Sequence, residues 1–194
     1  MVKTIVQGLK IFIIMTVLTG IIYPLVITLI GQGLYPSKAN GSLIIRDNKV
    51  IGSNLIGQKF ASDKYFWPRP SAIDYNPLPS GATNLGPTSA DLAAKVAERR
   101  GFLLATNPDS SGVPPDLLFA SASGLDPDVT PQAARFQIGR ISKARGLDNN
   151  QEKMLIDLIE KHIEPPTYGT IGEFRINILR LNLTLDSAFT GTNP

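Results

Sequence analysis

No cysteine occurs in this chain of 194 residues, which excludes a disulfide framework, a thiolate metal site and a cysteine nucleophile together. Histidine is nearly as scarce: His162 stands alone, and one imidazole builds neither a multi-histidine metal site nor a catalytic relay. No metal centre is expected. Charge of one sign is scarce too. The formal net charge is +3, yet Lys3 and Lys10 lie in the first ten residues, and from Leu34 onward 17 basic residues face 16 acidic ones. That balance, with no basic stripe carrying base-stacking aromatics, sets nucleic acid aside as a partner. What remains is a chain with 43% apolar residues and all the common residue types, long enough for one folded domain and one further element.

The apolar residues are concentrated. Residues 11–30 read IFIIMTVLTGIIYPLVITLI without a charge, and as a helix they rise roughly 30 Å, the thickness of a bilayer's hydrocarbon core. A cleaved signal peptide has a shorter apolar core followed by a small-residue cleavage site, whereas here the run is long and Tyr35-Pro36-Ser37-Lys38 offers no such site. The chain also begins at Met1, so a retained anchor is expected, with a short tail over residues 1–10, a membrane helix over 11–34 and a soluble domain over 35–194. Orientation is a near tie. Lys3 and Lys10 before the span oppose Lys38, Arg46 and Lys49 after it. The short basic tail tips the reading towards a cytoplasmic amino terminus and an extracytoplasmic domain.

Within the span Thr16, Gly20, Pro24 and Thr28 recur every fourth residue, a stripe of small or backbone-perturbing residues that lets another helix approach closely. Membrane helices also tolerate such residues without any partner, and both readings stand on the sequence. A lone anchor has no need of a groove, which favours a membrane-embedded partner.

Beyond the span, Ser42-Leu43-Ile44-Ile45 and Val50-Ile51 flank Arg46-Asp47-Asn48-Lys49 as a hairpin around a polar turn. Residues 60–87 lack a period but hold Tyr65, Phe66, Trp67 and Tyr75, which predicts a long ordered loop with aromatics to bury. Thr88-Ser89-Ala90-Asp91 starts a helix expected to stop at Gly101, with Leu92, Ala93, Val96 and Ala97 inward. After a polar connector over residues 106–115, a second helix starts at Thr130 and Pro131 and closes at Gly146. Ala134, Gln137, Ile138 and Ile141 share one face of it, with Gln132, Arg135, Arg140 and Lys143 broadly opposite and Phe136 among the basic residues. Arg135, Phe136 and Arg140 are thus a candidate docking face. Asp148 and Gln151 cap a third helix with a stripe of Met154, Leu155, Leu158 and Ile159, continued by His162 and ended by Pro165-Pro166. Residues 174–185 alternate as a strand with a bulge near Leu179. The fold expected is one amino-terminal transmembrane helix plus a mixed α/β soluble domain with a small sheet and about three helices.

No catalytic constellation emerges. Gly52-Ser53-Asn54-Leu55-Ile56-Gly57-Gln58-Lys59 places two glycines five apart, but Gln58 separates the lysine from the second glycine and Phe60 follows, so the phosphate-loop register is broken. Asp126 and Asp128 flank Pro127 where turns and caps use aspartate, and His162 reads as a helix-surface or rim residue. The residues alone reach a single-span membrane protein with a compact domain. A stand-alone membrane-tethered sensor or binding module is the alternative function class to a subunit of a complex.

The runs Gly52-Ser53-Asn54-Leu55-Ile56-Gly57-Gln58, Tyr65-Phe66-Trp67-Pro68-Arg69-Pro70-Ser71-Ala72, Ser80-Gly81-Ala82-Thr83-Asn84-Leu85-Gly86-Pro87, Ala120-Ser121-Ala122-Ser123-Gly124-Leu125-Asp126-Pro127 with Gln137 and Arg140, and Arg175-Ile176-Asn177-Ile178-Leu179-Arg180-Leu181-Asn182 carry a resemblance. In order and with the span in place, the chain resembles the C subunit of the bacterial Kdp potassium-transporting P-type ATPase over nearly its whole length. The resemblance implies a non-catalytic subunit in the bacterial inner membrane, without the Asp-Lys-Thr-Gly phosphorylation motif. Its implied partners are a channel-like potassium-binding subunit, an ATP-hydrolysing P-type subunit, a very small membrane peptide and the bilayer. It further implies a catalytic chaperone that raises the pump's ATP affinity, with Ser121, Ser123, Gly124 and Gln137 as candidate nucleotide contacts. No cofactor is expected to be stably bound, ATP being reached only through the complex. An extracytoplasmic domain conflicts with direct contact to cytoplasmic ATP, and in that orientation the effect must pass through the span while the domain caps the potassium entrance.

Overall fold

A computed structural model describes residues 1–108, 110 and 112–189, which divide into two compact units, Met1–Ser53 and Asn54 onward. The hairpin expected in the soluble domain thus groups with the membrane helix.

In the first unit one helix, α1, runs over Val2–Leu34, so the residues expected as a tail are helical as well. At 33 residues it is about 50 Å long, more than a bilayer core requires. It is not α-helical throughout. Pro24 has no N–H for the carbonyl of Gly20, and its ring crowds that carbonyl; the backbone widens into a π turn over Leu18–Ile22 just before it. A four-residue step on an α-helix overshoots a full turn by about 40°, and the wider turn takes back part of that drift between Gly20 and Pro24. At the carboxyl end Gln32 and Asn40 exchange side-chain hydrogen bonds of 3.1 Å in both directions across the short helical turn Pro36–Ala39. Strands β1, Leu43–Arg46, and β2, Lys49–Ser53, pair antiparallel. Asp47 and Asn48 take φ of 49° and 61°, the mirror-image turn whose twist matches a two-residue hairpin. The register slips between Ile44 and Ile45, leaving a bulge at Ile51.

In the second unit helix α2, Ala90–Thr106, starts where Ser89 accepts a hydrogen bond from the Leu92 amide. It does not stop at Gly101. Beyond the glycine, Leu103 is buried and Phe102 stacks on Trp67 with ring centroids 5.4 Å apart, and this packing offsets the roughly 1 kcal/mol that an interior glycine costs. Leu92 and Val96 are half-buried but Ala93 and Ala97 are exposed, so the inward face is narrower than expected. The second helix is two: α3, Pro131–Phe136, and α4, Ile138–Arg145, meet at Gln137, and Gly146 ends α4 with φ 65°. Helix α5, Asn149–Lys161, carries the complete capping box of Asp148 and Gln151. Leu155, Leu158 and Ile159 are buried while Met154 is 53% exposed.

The expected final strand is the main departure. Only Ile176–Asn177, β4, is extended, pairing with β3, Asp128–Val129, and then helix α6 covers Ile178–Phe189. Its buried positions Ile178, Leu181, Asn182, Leu185 and Phe189 have helical spacing, which the alternation of Leu179, Leu181, Leu183 and Leu185 conceals. The core of this unit gathers Phe66, Ile141, Leu155, Ile159, Leu181 and Leu185. The fold class stands: one apolar amino-terminal helix and a mixed α/β region with two small two-stranded sheets and several helices.

Candidate functional site

The long loop of residues 60–87 is held by a set of side chains from α4 and α6. Asn182, on α6, accepts from the Phe66 amide at 2.9 Å and donates to the Phe66 carbonyl at 3.0 Å. Gln137 treats the next residue alike: Oε1 accepts from the Trp67 amide at 2.7 Å and Nε2 donates to the Trp67 carbonyl at 3.1 Å. Each amide acts as a strand neighbour would, satisfying both backbone groups of a buried residue without a sheet. The remaining capacity of Gln137 is also used, since Nε2 donates to Ala133 and Oε1 accepts from Arg140 at 2.7 Å.

Arg140 completes the latch. Its guanidinium carbon lies 3.6 Å from the centroid of the Trp67 ring, and its terminal nitrogens donate to the carbonyls of Asp63 and Tyr65. Burial lowers its pKa to about 10, with the Asp63 carboxylate opposing the shift. One turn on, Arg145 donates to the Lys64 carbonyl and pairs with Asp186 at 2.7 Å, while Tyr65 donates its hydroxyl to the same carboxylate. Burial, then the hydrogen bond to Asp186, raises the Tyr65 pKa.

The segment Ser121–Pro127 packs on the other end of this loop. The Ser121 amide donates to the Pro70 carbonyl, Ser71 donates to the Gly124 carbonyl at 2.7 Å, and Arg69 pairs with Asp126 at 2.8 Å. Gly124 has φ 70°, and a Cβ there would stand 2.5 Å from Ile73 and 2.9 Å from the Gly81 carbonyl. Gly57 is equally constrained, for its Cβ would stand 2.5 Å from the Asp126 carbonyl. The glycine of the broken phosphate loop is therefore a packing glycine. Asp128 is raised above the ordinary carboxylate range by burial, then by Asp126, with Arg175 opposing.

Of the residues that the resemblance implied for nucleotide, Gln137, Ser121 and Gly124 are buried, with Gln137 fully inaccessible. Ser123 alone is exposed, its hydroxyl accepting from the Leu125 amide. The docking face does not form as expected. Phe136 is 7% exposed because it packs in the core, and Arg140 5% because it lies against Trp67 and the carbonyls of Asp63 and Tyr65. Arg135 remains outside, paired with Glu160. His162 bonds the Leu158 carbonyl and the Thr184 hydroxyl across α5 and α6. Among the described residues no group of three His, Asp or Glu side chains is placed to hold a metal. Of the connector over residues 106–115, Asp109 and Ser111 lie outside the described residues.

Along α1 the stripe is internally satisfied. The Thr16 and Thr28 hydroxyls donate to the carbonyls four residues earlier, at 2.8 and 2.7 Å, and a Cβ on Gly20 would meet nothing within 4 Å. No residue of the helix is buried. Sequence reasoning missed Asn182, Arg145 and Asp186. For Asn182 the signal was polarity inside an apolar run, Leu181-Asn182-Leu183; Arg145 and Asp186 lie in polar stretches that carried none.

A family profile described as K+-transporting ATPase, c chain, matches residues 5–187. The chain is 48% identical over 182 residues to the Potassium-transporting ATPase KdpC subunit of Leptospira interrogans, covering 94% of this chain and 93% of that one. It is 46% identical over 191 residues to the protein of the same name from Burkholderia ambifaria, with 96% and 97% covered. To that from Cereibacter sphaeroides strain KD131 it is 49% identical over 174 residues, with 90% and 91% covered. With the span, the latched aromatic loop and the Ser121–Pro127 junction all inside the matched region, the chain belongs to the KdpC family of K+-transporting ATPase c chains.

Proposed function

We propose that this chain is the non-catalytic accessory subunit of an ATP-driven potassium import pump, anchored in the bacterial inner membrane by α1. The observation that carries this reading is α1 itself: it presents apolar surface on every side and a small-residue stripe whose polar atoms are already satisfied, a surface suited to lipid and to other membrane helices. The relatives named as potassium-transporting ATPase subunits are the support for placing that surface in a pump. The partners are a potassium-binding channel-like subunit, a P-type subunit that hydrolyses ATP and a small membrane peptide. The amino terminus is cytoplasmic and the folded unit extracytoplasmic. Its part in ATP hydrolysis is then indirect, exerted through the span, and Ser121–Pro127 with Gln137 order the fold rather than hold nucleotide. This agrees with the full use of the Gln137 amide by Trp67, Ala133 and Arg140.

The test is to purify the ATP-hydrolysing subunit from cells with and without this chain and to measure the ATP concentration giving half-maximal hydrolysis. Loss of the other membrane subunits from the purified material, with a higher ATP requirement in what remains, is expected. An intact assembly with unchanged ATP dependence in its absence would remove the reading. Crosslinking of an ATP analogue to Gln137 or Ser123 in the complete pump would overturn the indirect route.

A further inference from the structure

Hairpin β1–β2 turns apolar side chains outward. Directly opposed residues of an antiparallel pair point to the same face, and the face shared by Leu43, Ile45 and Val50 holds side chains 52%, 63% and 59% exposed. On the other face Ile44 and Gly52 are half-buried, and Arg46 and Lys49 oppose each other beside the turn. A two-stranded hairpin is marginal in water, and an open apolar face makes it more so. The charge is of one sign. Residues 35–53 hold Lys38, Arg46 and Lys49 against the single acid Asp47, and none of the three cations forms an ion pair among the described residues. One apolar face with basic residues on the other is the pattern of an element lying in the interface of an anionic membrane.

The way the chain leaves α1 places the hairpin at such an interface. After Leu34 it turns back through Pro36–Ala39, so that Asn40 bonds Gln32 and the Ala39 Cβ stands 3.7 Å from where a Cβ on Gly31 would sit. Ser53, at the far end of β2, donates to the Gly41 carbonyl at 2.6 Å. Both ends of the hairpin are therefore held beside the last turns of α1, just past the charge-free run that ends at Ile30. Tyr35, a residue type enriched at membrane interfaces, takes the Lys38 ammonium over its ring at 5.7 Å. We propose that β1–β2 lies on the surface of the bilayer that α1 crosses, with Leu43, Ile45 and Val50 at the acyl boundary. The long stems of Lys38, Arg46 and Lys49 carry their charges to the phosphates of anionic lipid. This rests on α1 being the membrane anchor. Continuity with the span and the sign of the charge select lipid, rather than a protein, as the occupant of this face.

The experiment attaches a bimane fluorophore to single cysteines in the full chain: Ile45→Cys and Val50→Cys on the open face, Ile44→Cys on the other, and Val26→Cys within the span. Each is reconstituted in phosphatidylcholine vesicles with about a quarter phosphatidylglycerol and with spin-labelled acyl chains as quenchers. Labels at 26, 45 and 50 should be quenched, those at 45 and 50 about twofold or more beyond the label at 44. Omitting phosphatidylglycerol, or combining Arg46→Gln with Lys49→Gln, should cut the quenching at 45 by about half or more. The same pattern should hold when the assembled pump is reconstituted. Quenching at 26 with none at 45 and 50 overturns the proposal and leaves the anchor standing, whereas none at 26 removes both. Equal quenching at 44, 45 and 50, or quenching indifferent to phosphatidylglycerol and to the two glutamine changes, also overturns it. So does quenching that disappears in the assembled pump, which would assign the face to another subunit.

Discussion

The helix of the first unit and the folded part of the second solve opposite problems. Along Val2–Leu34 no residue is buried, though Ile, Leu and Val dominate it, whereas from Asn54 onward large apolar side chains such as Phe66, Ile141, Leu155 and Leu181 are wholly removed from solvent. The two regions also handle polar groups differently. In the helix, threonine hydroxyls turn back on their own turn; in the domain, Gln137 and Asn182 reach across more than sixty residues to the backbone of Trp67 and Phe66. A helix that keeps its hydrogen bonds to itself is built for a medium without water, and a loop pinned by distant amides is built by its own core.

The broadest way to break this comparison is to separate the regions. A chain starting at Asn54 should stay in aqueous solution and unfold cooperatively, while the full chain should require detergent or lipid; aggregation of the shortened chain, seen by light scattering, would show that its core is incomplete alone.

Next in size is Gln137→Ala, which strips partners from both backbone groups of Trp67 and from Arg140, all buried. About 2–4 kcal/mol should be lost in urea unfolding of the shortened chain. Gly124→Ala follows, at about 2 kcal/mol, because the left-handed backbone and the contacts with Ile73 and the Gly81 carbonyl both oppose a methyl group. On the helix side, Gly20→Leu should leave the isolated chain untouched but lower the yield of assembled complex, with Ile21→Leu nearly silent; equal yields would remove the packing argument for the stripe.

The smallest effect concerns pH. Because burial raises the folded pKa of Asp128, its contribution favours folding in acid and is lost as pH rises from the ordinary carboxylate range through that raised value. Asp128→Asn should therefore flatten the stability profile across that window, weakening the fold at its acid side relative to its neutral side. A parallel profile for the two proteins would contradict the sign.

What the sequence made legible was local. The caps at Thr130 and Asp148, the hairpin turn at Asp47 and Asn48, and the charge-free run are each decided by neighbours within a few residues, whereas the capping box expected from Thr88 to Asp91 gives way to a cap at Ser89, one residue on. What it hid was decided at a distance. Helix α2 passes Gly101 because Trp67 stacks on Phe102, and residues 178–189 coil because Asn182 must meet Phe66 while Leu181 and Leu185 face the core. Arg140 and Phe136 read as members of a polar face of one continuous helix; the helix instead breaks at Gln137, Phe136 packs in the core, and the aromatic loop covers Arg140. At the candidate site the resemblance singled out Ser121 to Pro127 with Gln137, but their partners at Pro70, Ser71 and Trp67 could not be read from the sequence.

The proposed function rests most on a surface of α1 meant for other membrane helices. Because the chain contains no cysteine, single cysteines at residues 16, 20, 24 and 28, and at 14 and 26 on the opposite side, can be introduced cleanly. The assembled pump is then crosslinked in its native membrane. Crosslinks to another subunit from the first four positions, and only weak ones from the other two, are the predicted result; equal crosslinking from all six, or none from the stripe, would contradict it.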